Sequence, residues 1–290
     1  MARLRAVALG FLPDRLAKAL LLARRRVLTR LANRRTPSEL AALERFPHPL
    51  APALARALRR MRKRDATAAE PWILRIEGER SKLLASSEPL ALRGEPEGPY
   101  DAGMNVRQAC LASRRREDGV ALFQLVAELR PERIIELGTN VGVSSAYMAA
   151  AQHESGRGSL ITLEASPGRS RTARRMHESL GFSRVDYVLG LFDRTLESAL
   201  TEPVDFAFID GHHQYEPTLD YFDRIWRHSR EGSVFVFDDI RWSLGMERAW
   251  NRLKTDPRLP VVVDLCGFGV ALGTREPRAT RRLVTPVLAV

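Results

Sequence analysis

The sequence has few cysteines and lacks a long apolar run. Only Cys110 and Cys266 occur in 290 residues, and neither belongs to a C-x-x-C pair or to a histidine cluster with zinc spacing. This excludes a disulfide framework and a structural zinc site, and a reducing, cytoplasmic compartment is expected. The apolar run from Leu16 to Ala23 is interrupted by Lys18 and is far shorter than a membrane span. We therefore expect no transmembrane segment.

Positive charge is concentrated in the first part of the chain. Residues 1–100 hold 21 Lys and Arg against 10 Asp and Glu, whereas residues 101–290 hold 25 of each. Apolar residues recur at helical spacing over 3–34, and a second basic stretch, also predicted as a helix, covers 54–64. Such helices can lie on an anionic membrane surface through residues 1–64, bind nucleic acid, or form a solvated extension. Sparse aromatic residues disfavour base stacking on nucleic acid, while membrane binding and a solvated extension both stay open.

Glycine and proline are dense over residues 86–103, which is typical of a linker or loop. Residues 1–100 are therefore predicted to form a basic helical extension that ends in this linker. Residues 101–290 are predicted to form one α/β domain, which is long enough to bury its own core.

In the second part of the chain, short apolar runs alternate with helical segments, a pattern that predicts a doubly wound, Rossmann-like parallel sheet covered on both faces. The apolar runs 261–265 and 268–272 predict a terminal hairpin, so that the last strand is antiparallel. The other predicted strands are 133–137, 159–164, 185–190, 204–209 and 233–237, and the predicted helices between them are 143–152, 167–180, 194–200 and 215–229.

The segment 134–145 predicts a cofactor site, because a buried strand runs directly into a glycine turn and then a helix. Its pattern is E-x-G-x-x-x-G, from Glu136 through Gly138 to Gly142. A turn of this kind lets the backbone pass close to a ligand while the helix N-terminus points at it. The dinucleotide fingerprint requires a further glycine at position 140, where this chain has Asn140. The spacing therefore disfavours a nicotinamide oxidoreductase.

The same segment resembles motif I of the class I S-adenosylmethionine-dependent methyltransferases. The resemblance implies a seven-stranded sheet whose last strand is antiparallel. It also implies that Gly138 and Gly142 make room for the methionine moiety of the cofactor and that Glu136 bonds polar groups nearby. It adds further cofactor-binding residues from the same turn, Thr139, Asn140 and Ser144.

Two later strand ends supply further cofactor contacts. The second strand ends at Glu164 and Ala165, and Glu164 matches the residue that binds the ribose hydroxyls in this family. The third strand is followed by Phe192 and Asp193, where the family contacts adenine. Phe192 is expected to pack on the adenine ring and Asp193 to bind its amine, with a core residue and a helix cap as the alternative roles.

Three carboxylates are predicted to converge where the fourth and fifth strands end. Asp210 follows the fourth strand, and Asp238 and Asp239 follow the fifth. Carboxylates this close repel one another unless a cation compensates them or one is protonated. Oxygen ligands favour a hard divalent ion, Mg²⁺ first and Mn²⁺ or Ca²⁺ next. Helix capping and loop hydrogen bonds are the alternative explanation.

This arrangement resembles the metal-dependent small-molecule O-methyltransferases of the catechol and macrolide-sugar types. The resemblance implies that Asp210, Asp238 and Asp239 hold the metal, that Asp210 also contacts the cofactor, and that His213 is the general base. His212 is expected to line the pocket. The chain departs from the catechol type, because Asp239 replaces an asparagine and His213 replaces a lysine.

The predicted function is therefore methyl transfer from S-adenosylmethionine to a hydroxyl of a sugar, polyketide or phenolic acceptor. Trp242, after the fifth strand, is expected to shape the acceptor pocket. A metal-independent methyltransferase, or a non-catalytic methyltransferase-like protein that binds membranes or nucleic acid, remains an alternative. Relatives carry lid or oligomerisation helices where this chain has its first 100 residues, so a homo-oligomer is also open.

Overall fold

The fold is described from a computed structural model, which covers residues 32–92, 94–276 and 282–288. The helix predicted over residues 3–34 lies outside these residues, apart from positions 32–34. The first 31 residues of the basic extension are outside them as well.

The centre of the molecule is one mixed sheet with the strand order β3-β2-β1-β4-β5-β7-β6-β8. Strands β1 to β5 are parallel, β7 is antiparallel to both β5 and β6, and β8 is parallel to β6. The predicted α/β fold is confirmed, and the predicted hairpin is β6–β7, with β7 antiparallel. The hairpin is not terminal, because an eighth strand, β8, follows it and runs parallel to β6. The strands are β1 Arg133–Leu137, β2 Ser159–Glu164, β3 Val185–Leu189, β4 Val204–Ile209, β5 Ser229–Phe237, β6 Val261–Asp264, β7 Gly269–Leu272 and β8 Leu283–Val287.

Helices lie on both faces of this sheet. Alternate residues along a strand enter different cores, as Ile134 and Ile135 of β1 show. None of the helices in the described part of the chain is long and apolar enough to cross a bilayer. The helices are α1 Thr36–Glu44, α2 Ala51–Lys63, α3 Glu70–Ala85, α4 Val106–Leu111, α5 Arg116–Leu129, α6 Val143–Glu154, α7 Pro167–Leu180, α8 Phe192–Ala199, α9 Tyr215–Arg227 and α10 Leu244–Leu253, with a 3₁₀ turn at Thr67–Ala69.

The basic helix α2 packs its apolar side against α5. Leu54 and Leu58 are fully buried there. On the exposed side, Arg56 and Arg60 lie 2.9 and 3.0 Å from the carboxylate of Glu128. Part of the excess positive charge is therefore paired with acidic side chains of the same molecule.

The Gly/Pro-rich segment runs along α7. The backbone oxygen of Leu90 accepts a hydrogen bond of 2.7 Å from Arg171, and Leu90 itself is fully buried. A Cβ on Gly168 would overlap this same backbone. Residues that follow Leu90 are thereby brought to the carboxyl edge of the sheet, where β1, β2 and β4 end.

Candidate active site

The loop after β1 is shaped by two glycines that have different neighbours. Gly138 has φ +104°, and a Cβ there would overlap the backbone oxygen of Asp210. Gly142 has φ +88°, and a Cβ there would overlap Ala173 and the ring of His177 on α7. Residues with a side chain rarely adopt such φ values. Gly138 therefore lets the ends of β1 and β4 lie close together, and Gly142 lets the loop pack on α7.

Glu136 is completely buried beneath this loop. It accepts hydrogen bonds of 2.6 Å from Ser144 Oγ and 2.5 Å from Thr162 Oγ1, and Thr139 Oγ1 is 2.5 Å from the same Thr162 hydroxyl. Burial raises the pKa of Glu136 to about 7, although its hydroxyl donors favour the ionised form. The structure thus places Glu136, Thr139 and Ser144 in a network that supports the loop, outside the set of residues that line the cavity.

A cavity of about 310 Å³ lies at the carboxyl ends of β1, β2 and β4. The predicted site residues that it brings together are Gly138, Asn140, Glu164, Ala165, Phe192, Asp210, His212 and His213. The other lining residues were not predicted from the sequence, and they are Pro99, Tyr100, Asp101, Ala112, Ser166, Arg169, Leu191 and Gly211.

Glu164 presents its carboxylate to this cavity at the end of β2. Its Oε2 accepts a hydrogen bond of 2.8 Å from the backbone N of Asn140, and its Oε1 accepts one of 2.9 Å from the backbone N of Ser166. Burial raises the pKa of Glu164, although these backbone donors and Arg169 oppose the shift. A carboxylate oxygen can accept two hydrogen bonds, so each oxygen keeps one acceptor position for a ligand hydroxyl.

Phe192 and Asp193 begin α8 but have different surroundings. The ring of Phe192 lines the cavity, and a Cβ on Gly211 would overlap it. Asp193 is not among the lining residues. Its Oδ1 accepts a hydrogen bond of 3.2 Å from the hydroxyl of Tyr221, which also lies 2.5 Å from Nδ1 of His212. Phe192 thus offers an apolar surface to a ligand. Asp193 instead accepts a hydrogen bond from Tyr221, and Tyr221 in turn contacts His212.

A second wall of the cavity comes from the Gly/Pro-rich segment 86–103, which the sequence predicts to be a linker. Arg169 Nε donates a hydrogen bond of 2.7 Å to Oδ1 of Asp101, and its Nη1 donates one of 3.1 Å to Oδ1 of Asn140. Oδ2 of Asp101 is buried and has no hydrogen-bond partner among the described residues. The dense Gly and Pro residues before Asp101 were the available signal, because they allow a tight turn that returns the chain to the site.

The predicted acidic cluster forms where β4 and β5 end. Asp210 follows β4, and its Oδ1 lies 3.4 Å from Nε2 of His213. Asp238 and Asp239 follow β5, and Oδ1 of Asp238 accepts a hydrogen bond of 2.8 Å from the backbone N of Asp239. The neighbouring positions of β4 and β5 in the sheet bring these side chains together, as the topology predicts.

Arg114 enters this cluster from the loop between α4 and α5. Its Nη2 contacts Oδ2 of Asp238 and lies 2.7 Å from Oδ1 of Asp239. Its side chain is only 17% exposed, so the ion pairs are partly shielded from water. Sequence reasoning missed this residue, because a run of arginines at the start of a helix is also typical of a solvated helix end.

The charges in the cluster shift the ionisation of its members. Burial and the neighbouring Asp210 raise the pKa of Asp238 well above its ordinary value, although Arg114 opposes this. Burial alone would raise the pKa of Asp210, but the hydrogen bond from His213 and the charge of Arg114 hold it below its ordinary value. Burial alone would lower the pKa of His213, but Asp210 raises it. Asp210 and His213 therefore each favour the charged form of the other.

The loop that carries both histidines is held in a constrained conformation. His212 and His213 have φ values of +59° and +43°. The backbone oxygen of His213 accepts a hydrogen bond of 2.7 Å from Ser243 Oγ, next to the 55%-exposed Trp242. Positive φ values of this kind persist where surrounding contacts enforce them, and they are common at functional sites.

A second cavity of about 580 Å³ lies beside α5. Its apolar lining includes Leu265 and Phe268 of the β6–β7 turn, which is at the same sheet edge as Asp238. We call this cavity the α5 groove. Its remaining lining residues are Met61, Arg64, Ala66, Ile73, Arg115, Arg116, Glu117, Asp118, Val120, Ala121 and Gln124.

Part of this chain is similar in sequence to known methyltransferases. Residues 135–240 match the family model described as a methyltransferase domain. The catechol O-methyltransferase of Niastella koreensis is 35% identical over 123 residues, which are 41% of this chain and 54% of that protein. The catechol O-methyltransferase of Mycobacterium tuberculosis is 30% identical over 125 residues, 43% of this chain and 55% of that protein. The chain thus spans about half the length of these curated relatives.

Solved structures share the fold. Cofactor-bound Rv0187 from MTB superposes with a TM-score of 0.54 at 21% identity, covering 71% of this chain and 91% of that chain. The SAH-bound methyltransferase PaMTH1 of Podospora anserina gives a TM-score of 0.51 at 18% identity, covering 57% of this chain and 81% of that chain. Residues 135–240 are therefore similar to a methyltransferase domain, and the cavity lies at the ends of strands within this matched region.

Proposed function

We propose that this protein transfers the methyl group of S-adenosylmethionine to a hydroxyl oxygen of a small molecule. One observation carries the proposal: the cavity that holds the Glu164 carboxylate also holds the Asp210–His213 pair. A ligand bound through Glu164 therefore lies beside a group that can accept a proton. The catechol O-methyltransferases that resemble this chain support an oxygen acceptor.

The cavity residues fit S-adenosylmethionine. Glu164 has one acceptor position left on each carboxylate oxygen, which suits the paired ribose hydroxyls. Phe192 offers its ring to a nucleobase, and Gly211, which has no Cβ to overlap this ring, lets it lie against the end of β4. Asp193 supports this wall through Tyr221 instead of lining it.

The chemistry requires a methyl donor, an aligned oxygen and a proton acceptor. When bound, S-adenosylmethionine supplies a methyl group on a positively charged sulfur, which leaves as a neutral thioether. The ring nitrogen of His213 that does not face Asp210, Nδ1, accepts the hydroxyl proton of the acceptor, and Asp210 stabilises the resulting imidazolium through Nε2. One short loop sets the positions of Asp210 and His213. The proton acceptor is therefore already in place when the acceptor oxygen binds next to it.

We assign acceptor binding to the surface between Trp242 and the α5 groove. The exposed ring of Trp242 follows the acidic cluster by a few residues, and the groove opens at the same sheet edge. Arg64, Arg115 and Arg116 border the apolar floor of the groove. These features suit an acceptor with an apolar body, and the choice among sugar, polyketide and phenolic acceptors stays a prediction.

The acidic cluster, as arranged, does not fit the predicted metal ion. Its oxygen donors are of the right chemical type for Mg²⁺, but Arg114 already binds Asp238 and Asp239. Within the described residues, no group of three or more His, Cys, Asp or Glu side chains is placed to hold a metal. The proposed reaction therefore includes no step at a metal ion. The assignment of Asp210, Asp238 and Asp239 as metal ligands stays a prediction from the sequence.

Isothermal titration with S-adenosylmethionine tests the proposed function. Glu164→Gln keeps the shape of the side chain but removes its charge, so we expect the dissociation constant to rise by about 10-fold to 100-fold. Glu178→Gln, on the exposed side of α7, is the matched control and should bind as the wild type does. No binding of S-adenosylmethionine to the wild-type protein would contradict the proposal.

A basic surface for membranes or nucleic acid stays a prediction for residues 1–64. Salt-dependent sedimentation with vesicles containing phosphatidylserine tests membrane binding, because screening weakens electrostatic attraction. A duplex DNA titration at the same salt concentrations tests nucleic-acid binding.

A further inference from the structure

Arg114 lies where the sequence predicts a metal ion. Its guanidinium contacts Asp238 and lies 2.7 Å from Oδ1 of Asp239. Short charge-assisted hydrogen bonds of this kind neutralise carboxylates effectively, because the guanidinium stays charged at all physiological pH values. We propose that Arg114 is the built-in cation of the acidic cluster and that methyl transfer at this site proceeds without a divalent metal ion.

Arg114 binds one oxygen of each of the two predicted metal ligands that follow β5. Oδ1 of Asp238 accepts the backbone hydrogen bond from Asp239, so Oδ2 is the oxygen of Asp238 without a backbone donor. Arg114 contacts this Oδ2 and also binds Oδ1 of Asp239. A divalent cation placed between these atoms would meet a fixed positive charge at contact distance. Arg114 would have to leave the cluster before a metal ion could enter.

The protein holds Arg114 in this position from both sides of its loop. Oδ2 of Asp118, in the first turn of α5, lies 4.0 Å from Nη1 of Arg114. On the other side, Asn140 Nδ2 donates a hydrogen bond of 3.1 Å to the backbone oxygen of Ala109 and lies 3.5 Å from Ser113 Oγ. The loop that precedes Arg114 is therefore hydrogen-bonded to the turn after β1. The guanidinium of Arg114 is held in place at the acidic cluster.

The inference rests on the proposed function and gives Arg114 a positioning role. By binding Asp238 and Asp239, Arg114 leaves Asp210 to pair with His213. When the acceptor O–H bond breaks, its proton moves to His213, the oxygen–methyl bond forms and the methyl–sulfur bond breaks. The products are a methyl ether, a neutral thioether and a protonated histidine that Asp210 pairs with, so no anionic oxygen is left for a metal to compensate.

Mn²⁺ titration followed by electron paramagnetic resonance tests the inference directly. We expect the wild-type protein with S-adenosylmethionine to bind no Mn²⁺ at the cluster up to millimolar concentrations. Arg114→Ala should bind one Mn²⁺ per chain, because it leaves the carboxylates without a counter-ion. Arg107→Ala removes an exposed arginine from the preceding helix and is the matched control, which should behave as the wild type.

Two further measurements distinguish a loss of charge neutralisation in Arg114→Ala from a general loss of structure in this variant. Mg²⁺ should raise the melting temperature of Arg114→Ala but not that of the wild type. A chelator should leave wild-type turnover unchanged, whereas Arg114→Ala should lose at least about 10-fold in turnover and recover part of it with Mg²⁺. Rescue by a metal would not follow from a purely structural defect.

Saturable Mn²⁺ binding to the wild type that Asp238→Asn abolishes would overturn the inference. A folded Arg114→Ala protein that binds no Mn²⁺ and melts as the wild type does would also overturn it. If Arg114→Ala does not fold, the wild-type titration still decides. Titration of S-adenosylmethionine in the same samples distinguishes the two proposals, because failure of cofactor binding contradicts the proposed function, whereas Mn²⁺ binding contradicts only the role of Arg114.

Discussion

Asp210 and His213 form the pair on which proton removal depends. They occupy one short loop after β4, with 3.4 Å between Oδ1 of Asp210 and Nε2 of His213. The carboxylate orients the ring and favours its protonated form, which the ring adopts after taking the acceptor proton. The adjacent His212 bonds Tyr221 instead, through its Nδ1. The two neighbouring histidines therefore have separate tasks.

His213→Gln should abolish most of the turnover while leaving cofactor binding intact. Glutamine fills similar space but accepts no proton at neutral pH, so we expect kcat to fall by about 100-fold to 1000-fold. The dissociation constant of S-adenosylmethionine, measured by titration, should stay unchanged. His228→Gln alters a partly exposed histidine at the C-terminal end of α9, 3.5 Å from Glu197 and outside the cavity lining, and is the control. Equal losses of turnover and of cofactor affinity in His213→Gln would contradict a role as base.

The sequence predicts some of these residues better than others. Asp210, His213 and Glu164 follow directly from strand ends, because residues at the carboxyl ends of neighbouring parallel strands meet at one edge. Arg114 and Asp101 lie in loops, and their partners are distant in sequence. No local spacing reveals such partners, since tertiary packing brings them together.

Helix α7 supports the cofactor loop at the level of secondary-structure elements. His177, fully buried on this helix, donates a hydrogen bond of 2.8 Å from Nε2 to the backbone oxygen of Gly142, while its Nδ1 accepts one of 2.6 Å from the hydroxyl of Tyr187. The same helix carries Arg169, which bonds Asp101 and Asn140. The geometry of the loop thus depends on the position of α7.

Gly142→Ala should destabilise the protein through its contact with α7. The new methyl group would overlap Ala173 and His177, and the φ value of +88° is unfavourable for alanine. We expect the free energy of unfolding to fall by roughly 2 to 4 kcal/mol in urea denaturation. Gly181→Ala is the matched control, because Gly181 has φ +84° but no neighbour within 4 Å of its added Cβ. Its loss should stay near 1 kcal/mol, and equal losses in the two variants would contradict the packing explanation.

His177 should make stability dependent on pH. Burial lowers the pKa of His177 to about 4, whereas an unfolded histidine has its ordinary value near 6.5. Between these values the unfolded chain binds more protons, so this contribution is present above pH 6.5 and is lost as the pH falls toward 4. The slope is at most about 1.4 kcal/mol per pH unit.

The check for His177 compares the wild type with His177→Gln, which cannot be protonated in this range. The difference between their free energies of unfolding should shrink as the pH falls from 6.5 to 4. A difference that stays constant over this window would show that His177 does not cause the dependence.

Most elements of the sheet follow from the sequence, and the exception has a physical reason. Apolar runs bounded by helices predict β1, β2 and β4 with their observed ends, because buried parallel strands read as continuous apolar segments. Strand β8 does not have such a run, and it contains Pro286. A proline is tolerated on an edge strand, where β8 lies, but it weakens any strand signal in the sequence.

At the scale of the whole molecule, the basic helices and the sheet share a hydrophobic core. Leu54 and Leu58 of α2 belong to the same buried cluster as Val126 of α5 and Ile134 of β1. Trp72 of α3 also enters this cluster, and its indole N donates a hydrogen bond of 2.6 Å to Glu154 at the end of α6. The hydrophobic packing is continuous across the predicted division at residue 100. At this position the excess of positive charge ends, and the division of the chain into two folding units there stays a prediction.

Leu58→Ala tests whether the basic helices and the sheet unfold together. Leu58 is fully buried between α2 and the rest of the cluster, so its truncation should reduce the free energy of unfolding by about 2 to 5 kcal/mol. Calorimetry with S-adenosylmethionine present should show one transition shifted to lower temperature, because α2 and the sheet share one hydrophobic cluster. Leu74→Ala, at a site that is 71% exposed on α3, should shift it little. Independent units would instead give a separate early transition for the helices and an unchanged transition for the part that binds the cofactor.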